Sequence, residues 1–462
     1  MKIYRLGACA GALALSLSGA AYADVMSLNT ALGLAYDGNP QLAAARAQLR
    51  ATDENVAQAN AGWRPTINAQ GQYGIEHEQY GSTNFGGGTV PGGAINDRPV
   101  DAQVSVNQPI FRGGKTYAEI GRAKAIVRQG RAQLIDAEQQ VLLAAVTAYM
   151  NVVRDESTLK LDENNVAVLQ KQLDATSEQF KVGELTKTDV AQSQARLSGA
   201  QAQLTIARGL LASSRAAFQQ VIGSPAETLD DQPPYPALPK DEETAVSIGA
   251  DGSPIAMSAR ENEKAADYAV DDAVGSLAPQ LSVQGLYQYQ HTEAGALLGQ
   301  PGNAHVTEVL GQLTIPIYQG GAEEASVRQA KELHSQMQLL ILNADRQVRA
   351  NVESAWETYS SAIASIDSNK AQVAADETAL TGVRKEEQVG ARTTLDVLNA
   401  QQELLNAQVA VVSSQRDAFV AAYRLLQATG QLTAQYLGLK VNIYDPLEHY
   451  DDDAGRWIGF ED

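Results

Sequence analysis

The chain has 462 residues, with 35 Lys and Arg against 54 Asp and Glu and a formal net charge of −19. Phosphate recognition needs clustered cations, so a nucleic-acid partner is excluded; the single cysteine, Cys9, excludes a disulfide framework or a cysteine-based metal site. Aromatics are only 6% of the residues and Ala, Gln, Leu and Val fill long stretches, a composition for long helices with small-residue seams rather than several compact cores.

Lys2 and Arg5, the small and apolar run Leu6 to Ala20 and the small-x-small site Ala21-Tyr22-Ala23 predict a secretory signal peptide over residues 1–23. The run is too short and wrongly flanked for a membrane span. Leu6-Gly7-Ala8-Cys9 has the look of a lipid-attachment box but stands at the start of the apolar run instead of following it. Removing Lys2 and Arg5 leaves 33 basic against 54 acidic residues, a net of −21. That charge suits solubility and, facing a lumen, a passage favouring cations.

A helix is predicted from about Leu28 to Ala61, ending before Trp63-Arg64-Pro65. Strand runs follow at about Thr66–Glu78 and Val100–Ile110, separated by a Gly-rich stretch, Gly81–Asn96, expected as a loop. In the second run Val100, Ala102, Val104 and Val106 alternate with Asp101, Gln103, Ser105 and Asn107, the period of a half-buried strand. Gly113-Gly114 then turns the chain into a helix of roughly 65 residues, about 100 Å long. After Gly183 a helix of roughly 37 residues returns, about 55 Å; with the roughly 34-residue opening helix this makes about 105 Å. A broken helix is therefore expected to pack against a continuous one.

Pro225–Gly252, with the Pro-rich run 233–239 and acidic 241–243, reads as a linker lying on a surface. Beyond it the pattern repeats. Asn107–Gly114 aligns with Thr314–Gly321 at an offset of 207, which also pairs Tyr149 with Trp356, Val182-Gly183 with Val389-Gly390, Asp189-Val190 with Asp396-Val397 and Gly223 with Gly430. Upstream the offset is 214, pairing Pro40 with Pro254, Pro65 with Pro279, Gly71 with Gly285 and Tyr73 with Tyr287. The division is thus a first repeat over 24–223, a linker over 224–252, a second repeat over 253–437 and an acidic tail over 438–462.

Heptads run through both copies: Val152, Leu159, Val166, Leu173 and Phe180 against Val190, Leu197, Leu204, Leu211 and Phe218. The second copy has Val352, Tyr359, Ile366, Val373 and Leu380 against Leu398, Leu405, Val412, Phe419 and Leu426. Such repeats mean supercoiled helices. A solid coiled-coil bundle fits them as well as a hollow one.

Two strand pairs are too few to close a barrel, and open sheet edges cannot sit in lipid. Runs of this length cross a bilayer when tilted, and three chains would supply twelve strands. Phe111 and Tyr318 fall at the strand ends nearest the helices, where an aromatic girdle is expected, with Tyr73, Tyr80, Tyr287 and Tyr289 elsewhere on the strands. The stretches 81–96 and 292–304 then become loops on the far side. A soluble sheet packed on the helices is the competing arrangement.

The order of elements, the duplication, Asn39-Pro40-Gln41-Leu42, the strand exit Pro109-Ile110-Phe111-Arg112-Gly113-Gly114 and the Val-Gly-x-x-Thr-x-x-Asp-Val turns resemble the TolC family of outer-membrane efflux and secretion proteins, over about Leu28 to Gly438. The resemblance implies a mainly α fold with a membrane β-barrel: a homotrimer of twelve strands in outer-membrane lipid above a periplasmic helical tunnel closed at its inner end. It also implies two partners, a periplasmic adaptor and an inner-membrane transporter, either ABC or proton-driven, and no cofactor.

Gly183 and Gly390 permit the tight reversals, and Asp189 and Asp396 suit the first turn of the returning helices. By resemblance, Asp396 and Asn399 take the aperture-ring positions, where the family's second acid is Asn399 here. Arg392 would pair with Asp189 in a gate latch, and Glu387 or Gln388 stands where the family has an aromatic. Gly183, Thr186, Gly390 and Thr393 take the helix-tip positions expected to meet the adaptor. Gly113, Gly114, Gly320 and Gly321 serve the strand-to-helix turns.

Enzymatic motifs are not expected. Gly113-Gly114-Lys115-Thr116 mimics the end of a phosphate loop, but the earlier glycine is Pro109 and the duplicate reads Gly320-Gly321-Ala322-Glu323. The five histidines are scattered; His291 and His305 flank one loop, and no metal site is expected. A periplasmic adaptor would have one hairpin between small β-domains, and a structural trimeric coiled coil would not need the strands. The tail from Tyr444 to Asp462 resembles endings of the secretion branch and favours protein export over small-molecule efflux.

Overall fold

In the computed structural model, residues 25–85, 87–90, 92–292 and 302–459 are described; the segment 1–23 expected as a signal peptide, with Cys9, and the middle of the 292–304 loop lie outside them. The opening helix is two helices, α1 (Leu28–Gly38) and α2 (Pro40–Asn60), not the single one expected over Leu28–Ala61. Pro40 lacks an N–H and pushes Asn39 into extended backbone (φ −74°, ψ 123°), while the Asn39 side chain accepts from the Gln41 N–H at 2.9 Å and starts α2.

After a 3-10 turn at Ala61–Trp63 comes β1 (Thr66–Tyr73). The Gly-rich stretch is not a plain loop. It holds β2 (Glu76–Tyr80), β3 (Thr83–Phe85), β4 (Gly88–Val90) and β5 (Gly93–Asp97), paired β2 with β5 and β3 with β4 into a two-stranded arm. Then β6 (Val100–Arg112) leads into α3 (Lys115–Lys181), a helix of 67 residues, and α4 (Lys187–Ile222) returns over 36.

The linker ends earlier than expected. Its last eleven residues form α5 (Glu242–Gly252), the counterpart of α1, and α6 (Pro254–Gly275) begins after extended Ser253 just as α2 begins after Asn39. The second copy continues with β7 (Gln280–Thr292), β8 (Gly302–Thr314), the 67-residue α7 (Ala322–Gln388) and the 35-residue α8 (Thr394–Ala428); the tail adds α9 (Glu448–Asp453). α3 lies against α2 and α4, and α7 against α6 and α8, which is the expected continuous helix beside a broken one.

The main core sits where the short helices meet. Leu32, Ala35 and Tyr36 of α1 join Leu142, Val146, Tyr149 and Val152 of α3, Phe218 and Ile222 of α4, and Phe419, Tyr423 and Leu426 of α8. Tyr149 is fully buried; its hydroxyl donates to the carbonyls of Met26 at 2.9 Å and Asp230 at 3.0 Å, tying the segment before α1 and the linker to α3. The heptad positions Val152, Leu197, Leu211, Phe218, Val352, Ile366, Leu380, Leu398, Leu405 and Leu426 are all buried, whereas Phe180 beside the tip is exposed.

The sheet has the order β1-β6-β7-β8, antiparallel throughout, so the two copies join where β6 pairs with β7. Register sorts its residues onto two faces. Ile67, Val106, Gly285 and Val309 stand in one row, and Ala69, Val104, Tyr287 and Thr307 in the next row on that face. The opposite face carries Gln70, Gln103 and Gln288, then Asn68, Ser105 and Leu286, with Gln103 donating to Gln70 at 2.8 Å and Gln284 to Gln312 at 2.6 Å. The apolar face is uncovered: Ile67 is 68% and Val309 74% exposed. Among the described residues the outer edges of β1 and β8 pair with nothing. No described helix is long and apolar enough to cross a membrane.

Candidate functional site

The hairpin tips are built twice by the same local chemistry. At the first, Gly183 takes φ 84° and the chain reverses to Thr186, the N-cap of α4. Asp189 Oδ2 accepts from the Thr186 N–H at 2.9 Å and from its hydroxyl at 2.7 Å, while the Asp189 N–H donates to Thr186 Oγ1 at 3.3 Å. This reciprocal capping box satisfies helix-end donors that have no partner in the helix. At the second tip Gly390 takes φ 77°, and Thr393 and Asp396 form the same box at 2.9, 2.8 and 3.3 Å.

The boxes set the charge of the tips. The Thr186 hydroxyl, then its backbone N–H, hold the Asp189 carboxyl below the usual aspartate range. The Thr393 backbone N–H, then its hydroxyl, do the same for Asp396, with a small contribution from Arg392. Both aspartates begin helices and both are kept ionised.

Other tip residues fall as follows. Arg392 Nε donates to Glu386 Oε2 at 3.0 Å, so the Arg392–Asp189 contact expected from the resemblance is not formed within one protomer. The Glu387 carbonyl accepts from the Gly390 N–H at 2.9 Å and closes the turn. Asn399 is exposed, and its Oδ1 accepts from Arg196 Nη2 of α4 at 2.6 Å. Below that bond Leu398 packs with Leu169 and Leu197, so the second hairpin leans on the first about one turn into α8 and about three turns into α4. Arg196 was absent from the sequence-based site. The signal for it was the duplication itself, since the residue 207 positions later is Glu403, a charge reversal.

At the other end of the helices, Gly113 and Gly114 take φ 66° and 88°, and Gly320 and Gly321 φ 68° and 83°. A Cβ on Gly113 would strike the Gly275 carbonyl and come 2.7 Å from Ala278 Cβ, so this turn needs glycine for space as well as for φ. Lys115 is turned away from any phosphate-loop role: its Nζ donates to Ser276 Oγ at 3.0 Å and faces Asp272 at 3.7 Å. Phe111 on β6 and Tyr318 beyond β8 are both exposed. His305 lies between Tyr287, whose hydroxyl is 3.1 Å from Nδ1, and the Tyr289 ring at 5.1 Å; His291 Nδ1 meets Asn303 at 2.6 Å.

A duplicated chain whose open sheet, long hairpins and aspartate-capped tips follow one plan is matched by the family model described as outer membrane efflux protein, over residues 31–224 and 252–431. The chain belongs to that family. It is 36% identical over 434 residues to the outer membrane efflux protein BepC of Brucella suis biovar 1, covering 94% of this chain and 91% of the relative. It is 27% identical over 451 residues to the proteases secretion protein PrtF of Dickeya chrysanthemi, covering 94% and 92%. The crystal structure of CusC, described for its transmembrane channel formation, superposes with a TM-score of 0.74 at 16% identity, over 87% of this chain and 92% of that one. This outer membrane efflux protein is thus an outer-membrane exit duct of the efflux or secretion class, as the TolC-family resemblance implies.

Proposed function

We propose that three copies close the sheet into a twelve-stranded barrel and their hairpins into one periplasmic tunnel, passing substrate from an inner-membrane transporter through the outer membrane. The observation that carries this is the sheet: one face apolar and uncovered, the other lined with hydrogen-bonded glutamines, and both edges open. Lipid tolerates such a sheet only when the edges pair, and neighbouring copies supply the pairing. The exposed leucines of α7, Leu333, Leu339, Leu340 and Leu342, give the helical part a matching surface for subunit contact.

In this assembly the tips form the gate. Asp396 and Asn399 line the aperture ring, and Asp189, Arg392 and Glu387 supply the latch between neighbouring hairpins. Gly183, Thr186, Gly390 and Thr393 present the tips to a periplasmic adaptor, Phe111 and Tyr318 mark the inner membrane interface, and residues 1–23 direct export. Exposed ion pairs are worth about 0–1 kcal/mol each, so a ring of them holds a state that adaptor binding overturns.

Single-channel recording of the purified protein in planar bilayers tests this: small, discrete, cation-favouring steps are expected. Protein that stays soluble and never inserts would leave a pore-free coiled coil or an adaptor. Two cargo classes stand, each with its observation. The acidic tail and the PrtF relative, named for protease secretion, favour protein export, and the more similar BepC, named an efflux protein, favours efflux. A deletion strain separates them, by loss of an exported protein from the medium or by sensitivity to small toxic compounds.

A further inference from the structure

The tail is docked rather than trailing. α9 lies on α2 (Pro40–Asn60), with Tyr450 and Ala454 packed on Val56, Ala123 and Val127. Asn60 Nδ2 donates to the Ala454 carbonyl at 2.7 Å and Arg64 Nη1 to the Arg456 carbonyl at 2.7 Å. This contact joins residues nearly four hundred positions apart and gathers a polar cluster that the duct does not use.

At its centre is His449. Its Nε2 lies 3.1 Å from Asp453 Oδ2, one turn on along α9, and its Nδ1 lies 3.4 Å from Asp53 Oδ2 on α2. A ring nitrogen of His449 and carboxylate oxygens of Asp453 and Glu54 lie within 4.8 Å of one another. Asp53 is only 2% exposed and neither of its oxygens makes an aligned hydrogen bond. Arg456 occupies the other oxygen of Asp453 at 2.8 Å, and Arg131 stacks over the Tyr450 ring at 5.1 Å. Three carboxylates, of Asp53, Glu54 and Asp453, thus gather about one imidazole, with the Arg131 and Arg456 guanidiniums at the margin.

The arrangement matches the carboxylate–histidine–metal triad. Ligands of a tetrahedral ion at about 2.0–2.1 Å stand about 3.3 Å apart, close to the spacing of Nε2 and Oδ2. A ligating histidine ordinarily gives its other N–H to a carboxylate, and Asp53 is placed to receive it. Imidazole with carboxylates selects borderline transition cations over Mg²⁺ or Ca²⁺.

We propose that His449, Asp453 and Glu54 bind one Zn²⁺-class divalent cation per chain, with Asp53 orienting His449, and that the ion staples the C-terminal segment to α2. Glu54 is half-buried, with a carboxylate oxygen within 4.8 Å of the ligand atoms of His449 and Asp453. The remaining position is left to water.

The test uses full-length, untagged protein in detergent, stripped with a chelator and titrated calorimetrically with ZnCl₂. One ion per chain is expected, with Cu²⁺ binding more tightly, Co²⁺ more weakly, and a large excess of Ca²⁺ or Mg²⁺ not competing. His449→Ala should abolish binding, Asp53→Asn should weaken it on the order of 10–100-fold, and His334→Ala should leave it unchanged. Glu54→Gln, at a half-exposed position that does not threaten folding, should also weaken it, with oligomer size unaltered in every variant. No Zn²⁺ uptake by the wild type would overturn the proposal, leaving a proton between Nε2 and Oδ2. Undiminished binding in both His449→Ala and Glu54→Gln would overturn it equally, since the ion would then sit elsewhere.

Discussion

The helical body and the sheet are made by one chain under different rules. The body has its own interior, with Tyr149, Phe218, Leu142 and Leu426 fully buried by partners from within the protomer. The sheet has backbone pairing but almost no interior: β1 and β8 are exposed along their whole length, and the apolar row Ile67, Val106, Gly285, Val309 faces outward. The body is specified by packing inside the chain. The sheet is specified by alternation alone, and its apolar face is complementary to something that is not this protomer. An exposed apolar patch of this extent marks an interaction surface.

Substitutions in the two regions should separate these rules. The largest effect is expected for Tyr149→Ala, which empties a core position and removes the hydroxyl bonds to the Met26 and Asp230 carbonyls; a loss of about 3–5 kcal/mol should appear in chemical denaturation of the purified protein. If Tyr149→Ala leaves the midpoint unchanged, the body does not depend on that core. In the sheet, Val104→Arg puts a charge on the apolar face at mid-strand and should cost about 2–4 kcal/mol in a bilayer, while Gln103→Arg on the opposite face should insert normally. Equal insertion of both would remove the assignment of faces, as measured by folding into vesicles.

The tips lie between the two rules, because their order comes from local bonds. Thr186→Ala removes the first capping box and should lower stability by about 1 kcal/mol, seen most directly as faster amide exchange near Asp189. The aspartates give the tips a pH dependence. With Asp189 and Asp396 held below their ordinary value, the stabilisation is complete above the usual aspartate range near pH 4 and is lost as pH falls through the depressed folded value. Tip exchange should therefore rise on acidification and be flat at neutral pH. The smallest effect on stability, about 0–1 kcal/mol, is expected for Arg392→Ser, yet conductance should increase. An unchanged conductance in a correctly inserted trimer would sink the latch assignment.

Much of this was legible because it repeats. The offset of 207 located both tips, both long helices and both glycine turns, and the strand alternation gave the faces that the register shows. The break at Asn39 was hidden because Pro40 suits the first position of a helix, so an unbroken apolar pattern ran across it. The same break at Ser253 lay inside a segment read as linker, which concealed α5. The glycines of Gly81–Asn96 point to a loop, yet the segment pairs with itself as a two-stranded arm, where glycine is tolerated. Arg196 on Asn399 and His449 on Asp53 are contacts between distant positions, and no local period announces them.

The pairing of β6 with β7 has a consequence in time. The partners are far apart in sequence, since the whole first hairpin, the linker and α6 intervene between Arg112 and Gln280. The β1–β6 and β7–β8 pairs close short loops and form early, but the central seam closes a long one and gains only after the helices have drawn its ends together. Helix formation thus acts as a timer on the sheet. On loop-closure grounds the apolar strands should persist as two separate hairpins until the helices have formed, and the full apolar face should be completed last.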